Sequence, residues 1–265
     1  MRIFFSTLNK LRRRPATWVL LGLLIGLLGL ILLGVAATAN DQRAEEREGL
    51  LVLTFPLAYG FVVAFILGLG GLFAVIYGAA VAGSEWGWGT LKNAIARGES
   101  RSRYVVLTFA AVALLAGVGL LIAFAAGVAL AFVGANIAGI STAGMNDATT
   151  LRSLPETLAR GWLAIAEEGA IGFAIATVAR SQLAGIGVGI AFFFGEQFAR
   201  IFLPDIVKYL PFDAATAMAA GSLPGGLERG RSSLDSGTAL VVVLLWLVGS
   251  IVVAALFAER AEIGG

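Results

Sequence analysis

Residues 17–39 read TWVLLGLLIGLLGLILLGVAATA, a run of 23 residues without a charged side chain. About 20 apolar residues in a helix cross roughly 30 Å of hydrocarbon, so the run predicts a membrane-spanning helix. Basic residues stand directly before it, from Lys10 to Arg14. The run is too long for the core of a signal peptide and no A-x-A cleavage pattern with a soluble domain follows, so we expect the first span to be retained.

Composition extends this interpretation to the whole chain. Its 265 residues are 58% hydrophobic and 14% charged, with a mean hydropathy of +0.90, far above the values of soluble domains. The fold class predicted is an all-α membrane protein that forms a single transmembrane domain over residues 1–265. Its six spans are expected at about 17–39, 55–83, 104–134, 158–179, 183–203 and 238–258.

The connections between the spans are short. Residues 1–16 predict a helix that lies in the membrane surface, although a disordered basic tail is the alternative. Its apolar face is expected to comprise Ile3, Phe4, Phe5, Leu8 and Leu11. Residues 136–156 are rich in Ser, Thr, Gly and Asp and predict a loop. Only three residues separate the fourth and fifth spans, which must therefore be antiparallel neighbours. Between the fifth and sixth spans, 206–226 is broken by Pro and Gly and predicts short helices on the outer face.

Orientation follows from the distribution of Lys and Arg. With the N-terminus inside, the cytoplasmic segments hold most of the basic residues, and the outer segments mix fewer of them with many acids. Basic loops resist translocation, so we predict that both termini are cytoplasmic.

Residue content excludes several classes of chemistry. The chain has no Cys and no His, so it lacks thiol nucleophiles, imidazole bases and metal sites that need either ligand. It has no G-x-x-x-x-G-K-S/T sequence, so we expect no P-loop ATPase site in this chain. We therefore predict no catalytic residues, no metal site, no cofactor bound by the chain and no nucleic-acid partner.

Four charged residues fall inside predicted spans. A charge at the bilayer centre costs at least about 2.5 kcal/mol on insertion scales, so such residues are candidates for a translocation path or for structural pairs. Glu196 and Arg200 are four residues apart and are expected to pair along one helix face. Glu167 and Glu168 point about 100° apart on a helix, so we expect only one of them to face the interior. One of these two acids, with Glu196, is a hypothetical contact for a cationic substrate or a proton.

The connection between the second and third spans is the most informative polar segment. Residues 83–104 read GSEWGWGTLKNAIARGESRSRY and join two spans longer than the bilayer requires, which predicts a helical elbow in the cytoplasm. The E-x-x-x-G-T-L pattern followed by S-R resembles that of type-2 ABC permeases, the membrane subunits of ABC exporters with the type V fold. LPFDAATAM at 210–218, the basic surface helix and the short fourth-to-fifth turn extend the resemblance over most of the chain.

This resemblance implies a function and a set of partners. In the family the segment is a coupling helix that sits in a groove of the ATP-binding subunit. The coupling residues implied here are Glu85, Gly89, Thr90, Leu91, Lys92, Arg97 and Arg101. Two copies of that subunit, which would hold ATP and Mg, are implied as partners, together with a second copy of this chain or a related permease.

The predicted location is the bilayer of a bacterial inner membrane. The resemblance implies an exporter of drugs, peptides, lipids or ions. Two other functions stay open: a secondary transporter coupled to an ion through Glu167, Glu168 or Glu196, and a membrane scaffold that transports nothing.

Overall fold

The computed structural model describes residues 2–39, 44–87, 89–96, 98–220 and 234–261. Within these ranges every regular element is helical. Two 3₁₀ helices, Ala44–Leu53 and Ala143–Asn146, lie in connections. The ten α-helices are α1 (Arg2–Arg12), α2 (Pro15–Thr38), α3 (Leu57–Gly87), α4 (Thr90–Ala96), α5 (Arg101–Ile137), α6 (Ala148–Ala179), α7 (Gln182–Phe202), α8 (Pro204–Val207), α9 (Pro211–Ala220) and α10 (Ser236–Arg260).

Six of these helices are long and apolar enough to cross a membrane, namely α2, α3, α5, α6, α7 and α10. The prediction of an all-α protein with six spans is therefore confirmed. The largest difference from the predicted ranges is at α6, which begins at Ala148 and not near 158. Its start is fixed by Asp147, whose carboxylate accepts hydrogen bonds from the backbone N and Oγ1 of Thr150 at 2.8 and 2.7 Å. Because this cap satisfies amides of the first turn, the second half of the predicted loop is helical.

Helix α6 is the centre of the bundle. Sixteen of its 32 residues are buried, whereas only four of the 25 residues of α10 are. It packs on α3 through glycine: a Cβ at Gly78 would overlap the carbonyl oxygen of Gly169, and one at Gly172 would overlap that of Val75. Small residues let the two backbones approach this closely.

The amino-terminal helix packs on the bundle. Leu11 is fully buried, and Phe4 and Leu8 lie against a cluster that includes Val105 and Phe109 of α5. The apolar face predicted for this segment therefore covers α5. Phe5 was predicted on the same face, but it is 61% exposed and is not part of that cluster.

Helices α3, α4 and α5 form an elbow that extends past the start of α2. Thr17, in the first turn of α2, is level with Tyr77 of α3, because their hydroxyl oxygens are 2.8 Å apart. Helix α3 continues to Gly87, so ten further residues carry it about 15 Å beyond this level. Helix α4 lies at the tip of the elbow, and α5 returns from it.

The opposite end of the bundle carries α8 and α9, the short helices predicted there. Helix α9 packs against α6 and α10, where Ala214 and Met218 join a buried cluster with Ala164 and Val243. The predicted segment 206–226 extends beyond Ala220 into residues outside the described ranges.

Candidate functional site

The turn between α3 and α4 explains the G-T pair of the motif. Gly89 has φ = +64°, a left-handed conformation that side chains with a Cβ rarely adopt, and its N–H donates to the Trp86 carbonyl at 3.2 Å. The Thr90 hydroxyl donates to the Glu85 carbonyl, also at 3.2 Å. Gly89 therefore reverses the chain at the tip of the elbow, and Thr90 satisfies a carbonyl at the end of α3.

Glu85 is the centre of a charged cluster that joins three helices. Its carboxylate is 2.6 Å from Lys10 Nζ of α1 and accepts a hydrogen bond of 2.6 Å from the Tyr104 hydroxyl of α5. Arg14 lies 3.6 Å from the same carboxylate and donates to the Ser84 hydroxyl at 3.0 Å. Glu85 itself is only 5% exposed. Glu85 therefore bonds the end of α3 to both α1 and α5.

Arg101 connects the elbow to the end of the last span. Its guanidinium donates to the carbonyls of Glu259 and Ala261 at 3.0 and 2.6 Å, and the Ser102 amide donates to the Glu259 carboxylate at 3.0 Å. The last carbonyls of a helix have no partners within it, and a cation there also interacts favourably with the helix dipole. Arg101 thus caps α10.

The turn between α6 and α7 also meets this region. A Cβ at Gly83 would overlap the backbone of Gln182, and the Arg180 guanidinium lies 5.4 Å from the centre of the Trp86 ring. Arg180 adopts φ = 51° at the end of α6. The end of α3 is therefore packed directly on the joint between the fourth and fifth spans.

The predicted coupling residues that the structure describes thus lie in one region, but they make different contacts. Glu85 lies near the end of α3, Gly89 in the turn that follows and Thr90 at the start of α4, whereas Arg101 lies where α5 begins. Leu91 and Lys92 are within α4. Arg97 lies outside the described residues.

Glu167 and Glu168 are both buried in α6, at 0% and 5% exposure, so the expectation that only one faces the interior is wrong. The reason is the central position of α6, which is covered by other helices on several sides. The Glu168 carboxylate occupies the space beside Gly71 of α3, where a Cβ would overlap it. Within the described residues, neither carboxylate oxygen of Glu167 has a hydrogen-bond partner, and Glu168 Oε2 has none.

Glu196 and Arg200 do not form the predicted pair. Glu196 is 2% exposed and accepts hydrogen bonds from the backbone N of Phe212, at 3.3 Å, and of Asp213. Arg200 forms its ion pair with Asp213. The cause is the approach of α9, whose first amides need an acceptor and whose first turn carries a carboxylate. Both charged residues of α7 therefore hold α9.

Three buried acids lie on two helices that pack against each other: Glu167 and Glu168 in α6, and Glu196 in α7. Among the described residues, no group of three or more His, Cys, Asp or Glu side chains is arranged to hold a metal ion.

Sequence reasoning missed Lys10, Tyr104 and Asp213 as partners of the predicted residues. Lys10 and Tyr104 are 75 and 19 residues from Glu85, and no local periodicity relates them to it. Asp213 did carry a signal, because it follows Pro211 in the first turn of a helix, where acidic residues are favoured.

Comparison with known families agrees with this architecture. A family model described as "ABC-2 family transporter protein" matches residues 7–196, which include α2 to α6 and the whole elbow. No curated protein matches the chain with significant similarity. The match covers well over half of the chain and confirms the resemblance to type-2 ABC permeases. The chain therefore belongs to the ABC-2 family of transporter proteins, as a multi-pass membrane protein.

Proposed function

We propose that this chain is the membrane-spanning permease subunit of an ATP-driven exporter in a bacterial inner membrane, with both termini in the cytoplasm. The family match supports a transport role, and the missing P-loop sequence means that ATP and Mg are bound by a separate subunit. Two copies of that subunit act with two permeases, because six packed helices leave no wide channel of their own. A homodimer is the simplest such assembly.

The observation that carries this proposal is the set of contacts around Glu85. Helix α4 is the part of the elbow that docks on the ATP-binding subunit. Any shift of α4 reaches Glu85 through the Gly89 turn, and Glu85 is bonded to Lys10 and Tyr104 on two other helices. Closure of the ATP-binding subunits around ATP would then move α1, α3 and α5 together. Through Arg101 the same movement reaches α10.

The residues proposed for coupling therefore have two kinds of role. Leu91, Lys92 and Arg97 belong to the docking surface, whereas Glu85, Gly89, Thr90 and Arg101 pass its displacement to the spans. This division predicts different consequences of substitution. A change on the docking surface uncouples the subunits and leaves the permease folded.

The first experiment is purification of the tagged protein from its own cells in mild detergent, followed by mass spectrometry of associated proteins and an ATPase assay. We expect a stoichiometric partner that contains a Walker A sequence. Lys92→Glu should abolish the association while the amount of permease in the membrane is unchanged. The matched control is Arg152→Glu, the same change of charge at an exposed position at the opposite end of the bundle.

A homogeneous protein with no associated ATPase would contradict the proposal. That outcome would favour an ion-coupled transporter, for which the buried acids are the relevant residues. Transport in liposomes driven by an ion gradient without ATP would then distinguish this function from a scaffold.

The buried acids are proposed as part of the translocation path, where they bind a proton or a cationic substrate. Glu167 supports this, because a fully buried carboxyl group without a hydrogen-bond partner is costly unless it is protonated or meets a cation during the cycle. Glu167→Gln should reduce ATP-driven uptake of tetraphenylphosphonium, or of protons, into inverted membrane vesicles. Glu156→Gln, an exposed carboxylate on the same helix, is the control. Unchanged transport in Glu167→Gln, Glu168→Gln and Glu196→Gln would end this hypothesis.

A further inference from the structure

A cleft of about 120 Å³ lies between α2, α3 and α5, on the side of the bundle where the chain begins. Its walls are almost entirely apolar. Leu21 and Leu24 line it from α2, Ile66 and Phe73 from α3, and Val118 and Ile122 from α5. Gly70 and Gly119 widen it, because neither has a side chain to fill the space.

The two hydroxyl groups in the cleft, of Thr17 and Tyr77, are bonded within the protein. The Thr17 hydroxyl donates to the Leu11 carbonyl at 2.8 Å, so its oxygen is left to accept from the Tyr77 hydroxyl, also at 2.8 Å. A cavity holds ordered water only where polar groups need partners. The cleft therefore suits a hydrocarbon occupant.

The mouth of the cleft faces the bilayer. Trp18, Val118 and Ile122 line it and are 54%, 45% and 41% exposed, and all three belong to membrane-spanning helices. From Thr17 to Leu24 the α2 wall rises about 10 Å, which is within the roughly 15 Å depth of one leaflet. The cleft is thus open sideways to the acyl chains of the leaflet next to the N-terminus.

A basic turn stands at the end of this mouth. Arg12 and Arg13 are exposed in the connection between α1 and α2. The Trp18 indole nitrogen donates to the Arg12 carbonyl at 2.8 Å, so the side chain at the mouth is bonded to the turn that carries the cations. An apolar cleft that ends beside exposed guanidinium groups matches an amphiphile with an apolar tail and a negative head.

We propose that this cleft binds an anionic phospholipid, with one acyl chain between α2, α3 and α5 and its phosphate beside Arg12 and Arg13. The proposal concerns a membrane lipid that stays with the protein and goes beyond the transport function proposed above. Its test uses the permease and lipids alone and does not depend on the ATP-binding partner.

The test is native mass spectrometry of the full-length protein, reconstituted with equal amounts of phosphatidylglycerol and phosphatidylcholine. We expect one retained phosphatidylglycerol per chain. Gly119→Phe should remove it, because a Cβ at Gly119 meets no atom within 4 Å and the ring can fill the cleft. Gly26→Phe is the matched control: Gly26 is also free of neighbours within 4 Å but does not line the cleft, so the lipid should remain.

A double variant with Arg12→Gln and Arg13→Gln tests the head group separately. Each cation near an anionic surface strengthens binding roughly fivefold, so we expect about a 25-fold loss of preference for phosphatidylglycerol. A second measurement uses lipids brominated along the chain, which should quench less fluorescence in Trp18→Phe than in the wild type. Thermal unfolding and gel filtration of each variant check that it is folded.

Three outcomes would overturn the proposal. The first is a wild type that retains no more phosphatidylglycerol than Gly119→Phe does. The second is equal retention of both lipids in the wild type. The third is dissociation of a dimer in Gly119→Phe with unchanged lipid, which would assign the cleft to a second copy of the chain.

Discussion

Lys10 and Glu85 are 75 residues apart in the sequence, and their side chains form an ion pair with a distance of 2.6 Å between Nζ and Oε1. The Glu85 side chain is 6% exposed, whereas that of Lys10 is 33% exposed. This pair fixes the first helix to the end of the second span.

The first prediction concerns that pair. Glu85→Gln should destabilise the protein by roughly 1–3 kcal/mol, because Lys10 and Arg14 lose the charge of this buried carboxylate. Proteolysis should then cut near residues 12–14 faster, as α1 detaches. Glu99→Gln is the control, since the 3.8 Å pair of Glu99 with Arg103 is exposed. A double-mutant cycle between Lys10→Met and Glu85→Gln that gives no coupling energy would show that the pair does not hold α1.

The second prediction concerns the cap on α10. Arg101→Ala should leave the last carbonyls of α10 without donors and increase hydrogen exchange over residues 255–261. Hydrogen exchange measured by mass spectrometry provides the test. Arg103→Ala, two positions along the same helix and 59% exposed at its side chain, should leave exchange there unchanged. Equal exchange in the two variants would mean that Arg101 does not cap α10 in the membrane.

The third prediction concerns the crossing of α3 and α6. Gly78→Ala should push the two helices apart, because the new Cβ overlaps a backbone carbonyl that cannot move without its helix. Overpacking of this kind costs roughly 1–3 kcal/mol or more. Gly22→Ala, whose Cβ would meet no atom within 4 Å, should be neutral. Thermal unfolding in detergent compares the two variants, and equal midpoints would refute the close crossing.

The fourth prediction distinguishes the partners of Arg200. A double-mutant cycle between Arg200→Gln and Asp213→Asn should give a coupling energy in the range of roughly 0.5–3 kcal/mol. The cycle between Arg200→Gln and Glu196→Gln should give a smaller value, because Glu196 accepts from the amides of α9. A larger coupling energy in the second cycle would instead support the pair of Glu196 with Arg200 that the sequence spacing predicts.

The fifth prediction concerns pH. The side-chain and backbone hydrogen bonds from Thr150 lower the pKa of Asp147 below its usual value of 3.8. The folded state therefore favours the ionised carboxylate. The stability that this cap contributes is present above the usual pKa and is lost as pH falls through the lowered one.

Asp147→Asn keeps a capping side chain without its titration. We expect its unfolding midpoint, measured from pH 5 down to pH 3, to depend less steeply on pH than that of the wild type. Parallel curves for the two proteins would show that Asp147 is not a source of the acid sensitivity.

The long elements of this fold were predictable because their signal is local. A run such as residues 17–39 specifies its own helix, since hydrocarbon leaves the backbone no other partners than those within the helix. The start of α6 was predicted too late, because the polar composition of residues 136–156 indicated a loop although Asp147 caps a helix within it. Local pattern also identified the elbow, where Gly89 has the backbone conformation that favours glycine.

The charged side chains were harder to place, for a different reason. Spacing of four residues allows Glu196 and Arg200 to pair, but α9 offers both of them better partners from outside their helix. Likewise, consecutive acids at Glu167 and Glu168 are both buried only because helices surround α6. Such contacts depend on tertiary packing, which one sequence does not report.

The ion pair between Lys10 and Glu85 has a consequence for the biosynthesis of this protein. Ribosomes extend a chain at roughly 5–20 residues per second, so the 75 residues between these partners take about 4–15 seconds to make. The first span is made within this interval, before the Glu85 carboxylate exists. The amino-terminal helix can therefore dock fully only after Glu85 at the end of the second span and Val105 and Phe109 of the third span have been made, when half of the six spans are present.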